Sequence, residues 1–78
     1  MTTKSKALRN NMITAAKAWV AAKSISFGWS REARDLAIDN ASDAFIAAEK
    51  AYETYLHGAY ASCPDYAIQR AEHYATLA

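Results

Sequence analysis

Apolar residues recur along this chain at alternating steps of three and four, the repeat of helices that bury one face. Leu8, Met12, Ala15, Trp19 and Ala22 form one such stripe in a first segment, spanning about residues 4–25. Ile13, Ala16 and Val20 form a second stripe about 100° away on the same helical wheel. Two apolar faces call for two packing neighbours. The pattern breaks between Ser26 and Ser30. Gly28 there can take a left-handed conformation, with Phe27 and Trp29 beside it to close the end of the core. Ser30 is a good N-cap, and Glu32 in the next turn complements the helix dipole.

A second, longer helix is predicted over about residues 31–60. Ala37, Ala41, Ala44, Ala48, Ala51 and Tyr55 follow at steps of four and three, inside a stripe about 80° wide. Small residues on a buried seam let a neighbouring helix approach closely, so this seam is read as the core contact. Ile38, Phe45, Tyr52 and Leu56 make a bulky flank beside it. Opposite lie Glu32, Asp35, Asp39, Asp43, Ile46, Lys50, Glu53 and His57, read as the solvent face, and Gly58 marks the fraying point. Pro64 suits the first position of a short third helix over about residues 64–77, with Ala67, Ile68, Ala71, Tyr74 and Ala75 facing inward. So short a helix needs tertiary packing. The expected architecture is all-α, one domain over 1–78: a hairpin of the first two helices, with the third folded back near the far end of the second.

Composition sharpens this picture in two ways. Much of the 53% hydrophobic content of the 78 residues is alanine, which buries little surface, and a chain of this length is near the size that needs help from oligomerisation. A homodimer is therefore favoured, with the Ile13 and Val20 stripe in want of a neighbour. The single cysteine, Cys63, excludes an intrachain disulfide. Lys17 and Lys23 interrupt the only signal-like stretch, Ala15 to Ala22, and no span approaches the roughly 20 apolar residues of a membrane helix. No membrane association is expected, and the protein is read as cytoplasmic.

Charge is segregated along the chain. Residues 1–27 carry a net +5, residues 28–61 a net −3 and residues 62–78 a net −1, for a total of +1. Opposite charges on adjacent helices help to pair the hairpin. Five cations spread around one helix make a weak footprint for phosphates, so direct nucleic-acid binding by the basic N-terminal helix ranks last among the readings. A helix-turn-helix fares no better, because the helix after Gly28 would bring Glu32, Asp35 and Asp39 to the phosphates.

Catalytic patterns are absent from the sequence. It has no Cys-x-x-Cys, no His-Glu-x-x-His and no phosphate-binding glycine loop. Glu53 precedes His57 by four residues and Glu72 adjoins His73, which is not the Glu-x-x-His spacing of di-iron bundles. Cys63 at a helix N-terminus has no evident base partner. No enzyme activity, metal or cofactor is expected. Of the five tyrosines, Tyr52, Tyr55 and Tyr74 are expected mainly inside, with Tyr60 and Tyr66 exposed.

The most suggestive surface is the acidic ridge of the second helix. Asp35, Asp39 and Asp43 repeat every four residues, with Ile46 as an apolar neighbour and Arg31 placed to pair with Asp35. Carboxylates about 6 Å apart present a phosphate-like row to the lysines and arginines of a protein partner. The alternative binding surface is Arg9, Ile13, Lys17 and Val20 on the first helix. In general character (a small single-domain chain, no catalytic motif, carboxylates on one face) the protein resembles the anti-CRISPR proteins that phages encode. That resemblance implies an inhibitor acting in the host cell cytoplasm by occluding a nucleic-acid site on a bacterial defence complex. A net charge of +1 departs from the strongly acidic members and implies local blockade of a basic site. A homodimeric adaptor is the competing reading.

Overall fold

Local signals in the sequence place the helix ends in the computed structural model, which describes residues 3–25, 28–60 and 63–77. The helices are α1 (Thr3–Ile25), α2 (Arg31–His57) and α3 (Ala67–Ala75), with a 3-10 turn at Pro64–Tyr66 leading into α3. Ser30 caps α2 as expected: its side chain accepts from the Ala33 N–H at 3.3 Å, and its carbonyl accepts from Arg34 N–H at 2.9 Å. At the other end Gly58 is the left-handed C-cap, with φ 78° and its N–H donating to the Thr54 carbonyl at 2.8 Å. Only glycine takes that φ without strain, so α2 stops at His57, not near residue 60. Phe27 lies outside the described residues. The turn after Pro64 shortens α3 to nine residues.

Contacts along the helices fix their directions. Lys4 Nζ sits 5.2 Å from the centre of the Tyr55 ring, and Trp19 and Phe45 have ring centroids 5.7 Å apart. Rising numbers on α1 therefore meet falling numbers on α2, an antiparallel hairpin. α3 runs back against both, with the Tyr74 ring tilted against Phe45 at a centroid distance of 6.1 Å and Lys23 paired with Glu72 at 3.5 Å. It packs chiefly on α1, and midway along α2 instead of at its far end.

Both stripes of α1 are used. Met12, Ala16 and Trp19 join Phe45 of α2 and Ala67 and Ala71 of α3 in one core, with Ile68, Tyr74 and Ala75 packed against it. The second stripe thus finds its neighbour within the chain. Ile13 is only 5% exposed and Val20 is half-buried, so the reason given for a homodimer through that stripe falls away.

On α2 the expectation was off by about a quarter turn. The buried line runs through Ile38, Ala41, Phe45, Glu49 and Tyr52, roughly 80–90° round the helix from the centre of the alanine seam. Ala37, Ala41 and Ala48 are half-buried beside α1, whereas Ala44 and Ala51 are exposed. Volume explains the rotation. Among the described residues three of the seven buried apolar side chains are alanine, so the Phe45 ring is needed to fill the space between Trp19 and Tyr74. Leu56 and Tyr55 are exposed, correcting the expectation that Tyr55 lies inside; Tyr66 is exposed as predicted.

Candidate functional site

The acidic ridge begins one turn inside the Ser30 cap. Asp35, Asp39 and Asp43 are all exposed. Arg31 Nε lies 3.8 Å from Asp35 Oδ2, the pairing expected, but both side chains are well solvated and the pair contributes little. Asp39 and Asp43 have no ion-pair partner among the described residues. Ile46 does not join the ridge: it is half-buried and packs on the core. The apolar neighbour of the ridge is Leu36, at 62% exposed the most open large hydrophobic residue among the described residues, less than a turn before Asp39. Its position at the outer edge of α2 is not legible in the sequence, where it reads as one more leucine in an apolar run.

The alternative surface does not come together. Ile13 is buried, Arg9 and Val20 are half-buried, and only Lys17 stands fully in solvent. Two further cations of α1 are engaged, Lys4 over the Tyr55 ring and Lys23 on Glu72. That leaves Lys6 and Lys17 along the outer edge of α1.

A polar cluster links α2 to α3. The fully buried Glu49 carboxylate accepts from Arg70 Nε at 2.7 Å, from Arg70 Nη2 at 2.8 Å and from the Tyr60 hydroxyl at 2.7 Å. Arg70 Nη1 donates to the Cys63 carbonyl at 2.7 Å, so one guanidinium ties α2, the turn and α3 together. Burial, and then the hydrogen bond to Glu49 and its negative charge, push the Tyr60 hydroxyl up to about 12. The Glu49 hydrogen bond holds Arg70 above its ordinary value. Burial likewise raises Tyr74. Tyr60 is thus half-buried and bonded, not one of an exposed pair. A phenol and a guanidinium held protonated make a clasp, not a proton relay. One sequence signal points here: Glu49 falls one turn after Phe45 on the bulky flank, where a charge needs a partner. Which cation supplies it depends on the return path of the chain.

Because α3 occupies one side of the hairpin, the other side is open. There α1 presents Ala7, Asn11 and Ala18, and α2 presents Leu36, Ala44 and Ala47, all exposed. Apart from Lys4, at the α1–α2 boundary over Tyr55, this two-helix face carries no charge on the helical wheel. Its long borders do. Lys6 and Lys17 line the α1 edge, and Asp39, Asp43 and Lys50 line the α2 edge.

Among the described residues, no group of three or more His, Cys, Asp or Glu is placed to hold a metal ion, and no helix is long and apolar enough to cross a membrane. No protein-family model, curated protein or solved structure matches the chain.

Proposed function

We propose that this protein is a non-enzymatic protein-binding inhibitor that docks the acidic edge of α2 on a basic surface of a larger partner. The observation that carries this reading is the pairing state of the ridge. Asp39 and Asp43 stand in solvent without an ion-pair partner among the described residues, next to a leucine that is 62% exposed. Unpaired carboxylates beside an open apolar side chain suit an interface in which charge steers the encounter and the leucine is desolvated on contact. Where the basic surface is the nucleic-acid site of a bacterial defence complex, occupancy excludes the nucleic acid, as the resemblance to anti-CRISPR proteins implies. Direct nucleic-acid binding has less support, since Lys4 and Lys23 are already engaged.

The test is capture of partners from a bacterial lysate on the immobilised wild type and on an Asp39→Lys, Asp43→Lys double variant of matched thermal stability. Loss of the captured protein from the variant, and its elution from wild type by salt, are expected, because reversal replaces attraction by repulsion at contact distance. Equal capture by both would place the binding surface elsewhere.

A further inference from the structure

We infer that this chain dimerises by exchanging its C-terminal segment about Gly58, with Tyr60, the turn at Pro64–Tyr66 and α3 of each copy docked in the groove of the other. The exchange is independent of the inhibitor reading. Asp43 lies about four helical turns before Gly58, so the acidic edges of both copies stay in solvent.

The groove is specific for this segment and indifferent to which copy supplies it. Met12, Ala16 and Phe45 line it, and Ala67 and Ala71 of α3 fill it. On its α2 wall the fully buried Glu49 carboxylate accepts from Arg70 Nε at 2.7 Å and Nη2 at 2.8 Å, and from the Tyr60 hydroxyl at 2.7 Å. A buried carboxylate without its cation is costly, so an open groove selects a segment that carries an arginine at this position. The segment has the converse need. A nine-residue helix is too short to hold its fold in water and must find a groove, its own or a second copy's. Each of these contacts joins a residue after Gly58 to one before it, so all re-form unchanged between two copies.

Gly58 supplies the hinge. It turns the chain back with φ 78°, while its N–H donates to the Thr54 carbonyl at 2.8 Å. That is the i to i−4 bond of an α-helix, so it survives when Gly58 swings to a helical φ and sends the following chain outward. For glycine the two signs of φ are nearly equal in energy. Exchange sets each moved segment beside the other copy's Gly58, so the C-terminal ends of the two α2 helices meet. That end is where the protomer leaves apolar surface open. Leu56 continues the buried line of Phe45, Glu49 and Tyr52, yet it is 44% exposed, because α3 is anchored at Glu49, about two turns away. Tyr55 beside it is also exposed. In the exchanged dimer both residues of both copies come to the joint and lose water, an apolar gain that the closed protomer lacks.

Sedimentation equilibrium of the full chain, refolded from urea at about 1 to 200 µM, is the first test. Wild type is expected to reach twice the protomer mass as concentration rises. A Cβ at Gly58 would meet no atom within 4 Å, so Gly58→Ala acts only through the backbone, straining the closed form and not the helical hinge. It should tighten the dimer at least about tenfold, because each dimer relieves two hinges. The second test mixes Arg70→Met chains with Glu49→Met chains before refolding. Exchange between them rebuilds one native Glu49–Arg70 pair in one groove and brings the two methionines together in the other. The mixture should therefore sediment as a dimer and melt at least about 5 °C above either variant alone. A wild type that stays monomeric throughout, a dimer that Gly58→Ala does not tighten, or a mixture that melts as its separate components would each overturn the exchange.

Discussion

Arg70 grips the fully buried carboxylate of Glu49 through two nitrogens, at 2.7 and 2.8 Å, across 21 residues of chain. This bidentate pair is the main polar link between α2 and α3, and it decides what happens when one partner is removed. Arg70→Met leaves an uncompensated buried charge and should cost about 3–5 kcal/mol, read by urea unfolding. Replacing both members, Glu49→Met with Arg70→Met, should recover most of that loss, because the desolvation of two charges disappears with them. If the double variant were as unstable as Arg70→Met, the deficit would lie in packing and not in charge.

Tyr60 extends the clasp to alkaline pH. Its hydroxyl titrates near 10 in the unfolded chain and is pushed up to about 12 in the fold. The folded state therefore favours the protonated phenol. Its contribution is fully present below about pH 10 and is lost as pH rises towards about 12. The loss should be about 1–2 kcal/mol, reduced by partial exposure. Unfolding curves of wild type and Tyr60→Phe between pH 9 and 12 should converge, the wild type falling more steeply. Parallel curves would mean that Tyr60 does not donate to Glu49.

Trp19 is buried, yet its indole N–H has no hydrogen-bond partner among the described residues. Its role is then volume against Phe45. Trp19→Phe forfeits no hydrogen bond and should cost only about 1–2 kcal/mol, whereas Trp19→Ala opens a cavity and should cost about 3–5 kcal/mol. Thermal melts of the two variants check this; equal losses would show that the indole nitrogen matters.

The rotation of α2 predicts a contrast within the alanine seam. Ala48 packs on the core, so Ala48→Leu should overpack it at about 1–3 kcal/mol. Ala44 faces solvent in the protomer, so Ala44→Leu should change its stability by less than about 0.5 kcal/mol. Melts at low micromolar concentration compare the two; similar destabilisation by both would return the seam to the core.

Several of these relationships are legible in the residues alone. Helix periodicity marks both stripes of α1, and Ser30 marks the start of α2, because caps and single-face burial are local properties of consecutive residues. The inward set of α3 is legible for the same reason. The orientation of α2 is not, since a helix with alanines on one side and Ile38, Phe45 and Tyr52 on the next has two candidate core faces. Choosing between them requires knowing how much volume α1 and α3 leave to fill.

Only tertiary structure could assign Arg70 to Glu49, take Tyr60 half out of solvent, and bury Ile13. Each depends on the direction in which the chain returns after Gly58, a choice set by packing between distant segments. The sequence by itself determined the helices and the exposure of Asp35, Asp39 and Asp43, because a carboxylate without a paired cation is too costly to bury. Which uncharged face remained open was decided by where α3 came to rest, since a nine-residue helix can cover only one side of a hairpin.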